Sequence, residues 1–405
     1  MLLLRAFYSK FESAQDEDTK LTRERIAKCI WKTDEFGHPQ KDRLKIDSQV
    51  ASDNDKDEFL SILKTGAVSD EMKSRYADTF RYFAKRIADF IDRMPMYTAL
   101  FPVRILGNVI LLPIEADNQD TALRIFSTLN DRGLPLSDAD IFKSQFYKHY
   151  SGKGQAHEFS ERWKALEEGT NEILHPLRGT PMDDLFTRYM YYRRALEGNK
   201  DTTTQSLRDF YARDKYAILR EDSTLADLER LLRFWQRVDA RDGFSDEALR
   251  RLAVLKYAPN GMWTYLLSVW FLANDDVEGG LDDAELVRFL DIMTAFVWAY
   301  AVERPGVNSL RSPVYPEMIN VVEHRPVAFS GYLFGRDDIT ARFHAFQFTN
   351  QRAITRSMLA WWAYHDPEQQ LWPADTVLEV EHVYARKRAE VEPLSKRENL
   401  EALGN

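Results

Sequence analysis

A chain of 405 residues has room for two or three domains, each with a sizeable core. With 44% hydrophobic and 13% aromatic residues it is not a disordered chain. No apolar run approaches the roughly 18–20 residues that cross a bilayer, and Met1-Leu-Leu-Leu runs into Arg5 without the apolar region or cleavage site of a signal peptide. The net charge of −9 excludes a protein that coats nucleic acid through its overall field, so any DNA contact must be local. The single cysteine, Cys29, excludes an internal disulfide or a Cys-rich zinc site and makes the cytoplasm the default compartment.

In chain order, residues 1–14 read as a helix without an N-cap. Ile26 to Thr33 and Arg43 to Asp47 flank the turn signal Asp34-Glu-Phe-Gly37-His-Pro39, which predicts a short β-hairpin. Asp53-Asn-Asp55-Lys-Asp57-Glu58 begins like a calcium loop. Glu58 replaces the glycine needed at the sharp turn and Lys64 replaces the bidentate acid, so a solvated acidic loop is expected. Met72, Tyr76, Phe80, Phe83, Ile87 and Phe90 mark a long amphipathic helix, and the apolar run Val109 to Ile114 reads as a strand.

The stretch from Ala122 to Ser144 reads as helix, tight turn, helix. Leu123, Phe126 and Leu129 keep one apolar face, Gly133 suits the left-handed position that ends a helix, and Ser137 with Asp140 three residues on resembles a capping box. The turn is expected at the surface of a cleft, with Arg132 reaching solvent or an anion. Asn130, Arg132 and Lys143 carry donors that suit phosphate or a partner carboxylate. A structural reading stands beside this, in which Asn130 bonds the turn backbone and Arg132 pairs with Asp138 or Asp140.

Gly152-Lys-Gly154 is a candidate break, and beyond it the periodicity is almost entirely helical. Leu286, Phe289, Leu290, Met293, Phe296, Val297 and Tyr300 form one apolar stripe, and Ile354, Met358 and Trp361 form another. These aromatic stripes, Trp361-Trp362 included, read as core and not as a base-stacking platform. Connectors fall at Asn199 to Ser206, Ala273 to Asp283 and Arg304 to Pro313. Val377 to Tyr384 alternates with period 2, which predicts a short strand ending at Glu381-His382 and hairpinning toward Leu403 to Asn405. Arg386-Lys387-Arg388 and Lys396-Arg397 make a basic cluster beside His382, read as phosphate contact rather than a solvated face.

As written, Phe126-x-x-Leu-Asn130-x-Arg132-Gly-x-Pro-Leu-Ser137-x-x-Asp140-x-x-Lys143 resembles the signature of the sensor and nucleotide-hydrolysis domain of GmrSD-type modification-dependent restriction endonucleases. Glu381-His382 followed by Leu403-Gly404-Asn405 resembles the opening of the HNH-type ββα-metal nuclease domain that follows it in that family. The fold implied is α+β and predominantly helical, with a small N-terminal hairpin or strand region, a large helical middle and the start of a ββα-metal module. The domains implied are 1–150, a partial sensor domain, 151–370, a helical domain, and 371–405, the start of the nuclease.

The resemblance implies that His382 is the base that activates water, Asn405 orients it, Glu381 ligates a divalent metal such as Mg²⁺ or Mn²⁺, and a nucleoside triphosphate is used. Modified or phage DNA is the implied partner of a bacterial anti-phage defence protein. It further implies a chain truncated at both ends. No acidic-Gly-Gln-Gln-Arg loop occurs, Ala385 stands where the family often has Pro, and the sequence stops before the helix supplying the remaining metal ligand. Nucleotide hydrolysis and DNA cleavage are therefore expected to be weak or absent in this sequence. The alternative is a non-catalytic relic or regulatory protein whose helical body binds a partner.

Overall fold

The computed structural model describes residues 1–46, 53–110, 121, 137–203, 205–259, 261–275, 280–304, 310–349, 352–373, 376, 378–381, 384 and 386–392. It divides into two units, Met1–Leu129 and Asn130–Asn405. The helix that begins at Asp138 lies in the second unit.

In the first unit, helices α1 (Leu2–Phe11), α2 (Glu17–Ile30), α3 (Asp53–Thr65), α4 (Arg75–Arg93) and α5 (Leu100–Asn108) accompany one hairpin, β1 (Trp31–Thr33) with β2 (Pro39–Leu44). The strands are antiparallel, with an irregular register between Trp31 and Lys32. Asp34 sets the turn by accepting hydrogen bonds from the N–H groups of Phe36 and His38, and Gly37 takes the left-handed conformation at φ +82°. The hairpin was legible in the sequence, but its first strand is shorter than read and its second runs over Pro39–Leu44, starting earlier than the Arg43 to Asp47 expected. Ile26 and Ile30 lie four residues apart on the buried face of α2, so they complete a helix instead of starting a strand.

Asp16 caps α2 by accepting from Thr19 N–H at 2.8 Å, and Ser74 caps α4 by accepting from Ala77 N–H. The acidic run expected as a loop opens helix α3, because acidic residues suit the positive N-terminal end of a helix dipole. Val109 and Ile110, the described part of the strand expected at 109–114, are exposed and not in a strand. The core gathers Phe7, Phe11, Ile26, Ile30, Trp31, Ile62, Leu63, Phe80 and Ile87.

The second unit is helical among its described residues: α6 (Asp138–Gly152), α7 (Ala156–Ile173), α8 (Pro181–Leu196), α9 (Leu207–Tyr211), α10 (Asp222–Ala240), α11 (Asp246–Lys256), α12 (Met262–Asn274), α13 (Asp283–Glu303), α14 (Arg311–Val322), α15 (Arg336–Ala345), α16 (Ala353–Tyr364) and α17 (Arg386–Val391). Helix α12 is its axis. Leu266 to Leu272 are all buried, and the helix packs against α8, α10 and α14. Inside, Asp184 accepts from Arg188 and from the Tyr265 hydroxyl, while the Arg188 guanidinium lies over the Trp235 ring at 4.5 Å. Arg188 also donates to the Thr264 carbonyl and Ser268 Oγ, so the pair joins α8 and α12 and lies against α10.

The stripe on α13 is buried as the sequence indicated, each large side chain contributing about 1.5–3 kcal/mol. The stripe on α16 is not uniform. Ile354 and Met358 are buried, but Trp361 is 41% and Trp362 70% exposed. Trp361 meets Trp298 edge-on at 5.6 Å between ring centroids, and Trp362, one residue further, falls about 100° around the helix, away from that contact. The expectation that both are core is corrected. The fold is a predominantly helical α+β protein, with its only strands among the described residues in the first unit.

Candidate functional site

Helix α6, which follows Asn130 to Gly133 in the sequence, begins with the capping box read from the sequence. Asp140 N–H donates to Ser137 Oγ at 3.1 Å, and the Asp140 carboxylate accepts from Ser137 N–H and from Ser137 Oγ at 2.7 Å. The same first turn is held from outside by two further groups. Asp183 Oδ1 accepts from the Ala139 N–H at 3.0 Å, while its Oδ2 accepts from the Thr180 N–H, also at 3.0 Å, so one carboxylate serves the N-termini of both α6 and α8. Asp138 accepts from Arg208 Nε at 2.9 Å. Burial nevertheless holds the Asp138 carboxyl above its ordinary range, with the Arg208 charge acting the other way. Tyr216 feels both of those charges, and its own burial pushes its phenol upward.

Of the residues assigned to this site from sequence, Lys143 is described. It lies one turn after Asp140, half-exposed, with Nζ 4.0 Å from Glu167 Oε2. An open ion pair that long contributes at most about 1 kcal/mol, so the ammonium remains free to exchange partners. Asn130, Arg132 and Gly133 lie outside the described residues. Asp138 and Asp140, weighed above as partners for Arg132, are engaged with Arg208 and with the Ser137 cap.

At the other end, Leu378, Glu379, Val380 and Glu381 are not in a strand. This corrects the strand expected over Val377–Tyr384: alternation by itself makes no strand without a paired neighbour, and none is present among the described residues. Glu381 is exposed; His382 and Asn405 lie outside the described residues. Among the described residues no group of three or more His, Cys, Asp or Glu is placed to hold a metal, and no catalytic step is routed through one.

Helix α17 carries the basic cluster. Arg386 opens it, Lys387 and Arg388 are exposed, and Arg388 bonds Glu392 at 3.1 Å and lies 5.4 Å from the Tyr384 ring centre. Arg388 is thus partly neutralised by a carboxylate just beyond the end of its own helix.

Asp183, Arg208 and Tyr216 were not singled out from sequence. A signal existed for the first: Thr180-Pro-Met-Asp183 is itself a capping box with Pro at the first helical position, and both halves of that box are present. Its second role, 44 residues away on Ala139, leaves no local trace.

The arrangement defines a predominantly helical α+β protein in which Asp183 and Arg208 hold the first turn of α6. The family described as GmrSD restriction endonuclease, N-terminal domain, matches residues 1–147. That match bears out the resemblance to this family read from the signature between Phe126 and Lys143. A comparison with curated proteins found no match. Among the described residues no helix is long and apolar enough to cross a membrane.

Proposed function

We propose that the chain acts as a nucleotide-dependent, modification-sensing DNA restriction factor of the GmrSD type, in bacterial anti-phage defence. The observation that carries this reading is the family match over residues 1–147, which spans the whole signature from Phe126 to Lys143. In this reading Asn130, Arg132 and Lys143 contact the phosphates of a nucleoside triphosphate. His382, Asn405 and Glu381 belong to an HNH-like module that takes a divalent metal, and Arg386, Lys387 and Arg388 contact DNA phosphates. The domain division is 1–150, 151–370 and 371–405, and the setting is cytoplasmic.

Two measurements on the purified chain test it: equilibrium binding of GTP and ATP with Mg²⁺, and binding of duplexes with and without modified cytosine. The expected result is triphosphate binding that Arg132→Ala abolishes, with preference for modified DNA. Absence of both nucleotide and DNA affinity would count against the reading. The second reading is a regulatory protein whose helical body docks a partner. Binding of neither ligand would leave that one standing.

A further inference from the structure

The hairpin of the first unit ends in a side chain that its core does not use. Phe36, at the tip, is 86% exposed, and the turn that carries it is fixed by the two N–H groups bonded to Asp34 and by Gly37 at φ +82°. The base of the ribbon is fixed too: Trp31 is buried, and the Lys45 N–H donates to the Ile30 carbonyl at 2.9 Å. A single exposed apolar side chain is ordinary on a protein surface. What surrounds this one is cationic. Lys32 leads into the turn and Lys41, Arg43 and Lys45 follow it, all exposed, while Lys28 of α2 places its Nζ 3.8 Å from where a Cβ on Gly37 would stand. Among the described residues none of these five is in an ion pair with a carboxylate. Arg43 bonds only the neutral Gln40 side chain, at 3.4 Å. Between residues 28 and 45 the five cations stand against three acids, and one of those, Asp34, is engaged by the turn and by His38. This concentration runs against the net −9 of the chain.

We propose that the hairpin is a duplex-DNA docking element, with Phe36 laid against base or sugar in a groove and Lys28, Lys32, Arg43 and Lys45 on the flanking phosphates. Shape and charge agree. Two strands about 4.8 Å apart make a ribbon that enters a major groove roughly 12 Å wide, and cations on both strands and on the adjoining helix suit the phosphates at its walls. A tip already ordered loses little freedom on binding. Lys41 is left out of the contact set because its ammonium lies over the Tyr8 and Trp31 rings, 5.4 and 5.9 Å from their centres. The surface lies in the first unit, inside residues 1–147, and shares no residue with the basic helix α17. It rests on the proposed function only in taking DNA as the polyanion.

Fluorescence anisotropy of the full chain on an unmodified duplex, between about 50 and 200 mM salt, tests it. Lys28→Ala, Lys32→Ala and Lys45→Ala should each weaken binding alike on any sequence and lower the salt slope by about one. Phe36→Ala should weaken binding about tenfold with the slope unchanged, since a stacked ring releases no counterions, and Phe36→Trp should bind as the parent does. All four side chains are exposed, so melting temperatures should stay within about 1 °C of the parent. Parent-like affinity and slope in every alanine variant overturns the proposal, as does a parent that fails to bind the duplex at the lowest salt. Sedimentation velocity covers a protein contact: if Phe36→Ala dissociates a dimer of the parent and leaves DNA affinity unchanged, the tip joins copies of the chain and the proposal fails. Hairpin-dependent duplex binding in a chain with no triphosphate affinity and no preference for modified cytosine supports the docking element and counts against the restriction reading.

Discussion

A Cβ on Gly66 would stand 2.4 Å from the guanidinium of Arg5. Gly66 follows α3 at φ +68°, and Arg5, buried on α1, donates to the carbonyls of Leu63 and Lys64 at 2.9 and 3.4 Å, closing the C-terminus of that helix from outside. The glycine is required twice, for its backbone conformation and for the space the arginine fills. Gly66→Ala is expected to destabilise the first unit by roughly 2–4 kcal/mol, from the left-handed strain and the displaced hydrogen bonds together. Arg5→Met should cost less in the Gly66→Ala background than alone, because the collision is then already relieved. Urea unfolding of the four members of the cycle checks this, and strictly additive losses would show that the two residues do not interact.

Alkaline pH should loosen the second unit through its buried phenols. Tyr265 is pushed up to about 12, chiefly by burial and then by the Asp184 charge, and Tyr191 and Tyr211 are raised in the same direction, again chiefly by burial. Each holds its proton more tightly folded than unfolded, where a phenol titrates near 10. Their contribution is therefore complete below pH 10 and is lost as pH rises from 10 through the folded values, by up to about 1.4 kcal/mol per pH unit and group. Phenolate absorbance should lag during a titration and then appear together with loss of helical circular dichroism. Full ionisation by pH 11 in a folded chain would contradict the burial.

What the sequence made legible was local. The Ser137–Asp140 box, the Asp34–Pro39 turn and the α13 stripe each depend on residues within a few positions or a few turns, and each is present in the fold. What was misread depended on context. Asp53 to Glu58 is equally acidic as a loop or as the first turn of a helix, and only the apolar face continuing through Phe59, Ile62 and Leu63 decides between them. Glu381 alternates properly with its neighbours, yet a strand needs a partner that alternation does not name. Asp183 could be read as a cap for its own helix, but its hold on Ala139 exists only after two helices meet.

A left-handed turn at Asp214, Lys215 and Tyr216 offers a stability test independent of function. Lys215 is exposed and sits at φ +57°, where glycine meets no steric objection. Lys215→Gly should stabilise the second unit by about 0.5–1 kcal/mol, the relief of left-handed strain exceeding the entropy of the freer unfolded chain. Thermal unfolding decides it, and a destabilised variant would mean that the lysine side chain makes a favourable contribution larger than the strain.

Exposure on α16 predicts unequal tryptophans. Trp362→Ala should change stability by less than about 0.5 kcal/mol, as for a surface substitution. Trp361→Ala should cost about 1–2 kcal/mol, because it loses the edge-on contact with Trp298, whose Nε1 donates to Ser357 Oγ at 2.9 Å. Equal losses at the two positions would place Trp362 in a contact that its 70% exposure does not allow.

Within the proposed DNA contact, the two exposed basic residues of α17 should not be equivalent. Lys387 projects from the helix, whereas Arg388 is bonded to Glu392 at 3.1 Å, and Glu392 also has its backbone carbonyl tied to the Tyr384 hydroxyl at 2.7 Å. A phosphate must compete with that carboxylate for Arg388. Lys387→Ala is therefore expected to weaken duplex binding uniformly across sequences and to reduce the salt slope by about one, while Arg388→Ala does less. Glu392→Ala should act oppositely, releasing Arg388 and strengthening binding. Fluorescence anisotropy between 50 and 200 mM salt, a range over which phosphate contacts lose affinity steeply, separates the three. If Glu392→Ala leaves both affinity and slope unchanged, Arg388 is not a phosphate ligand, and the basic cluster is a solvated helix face.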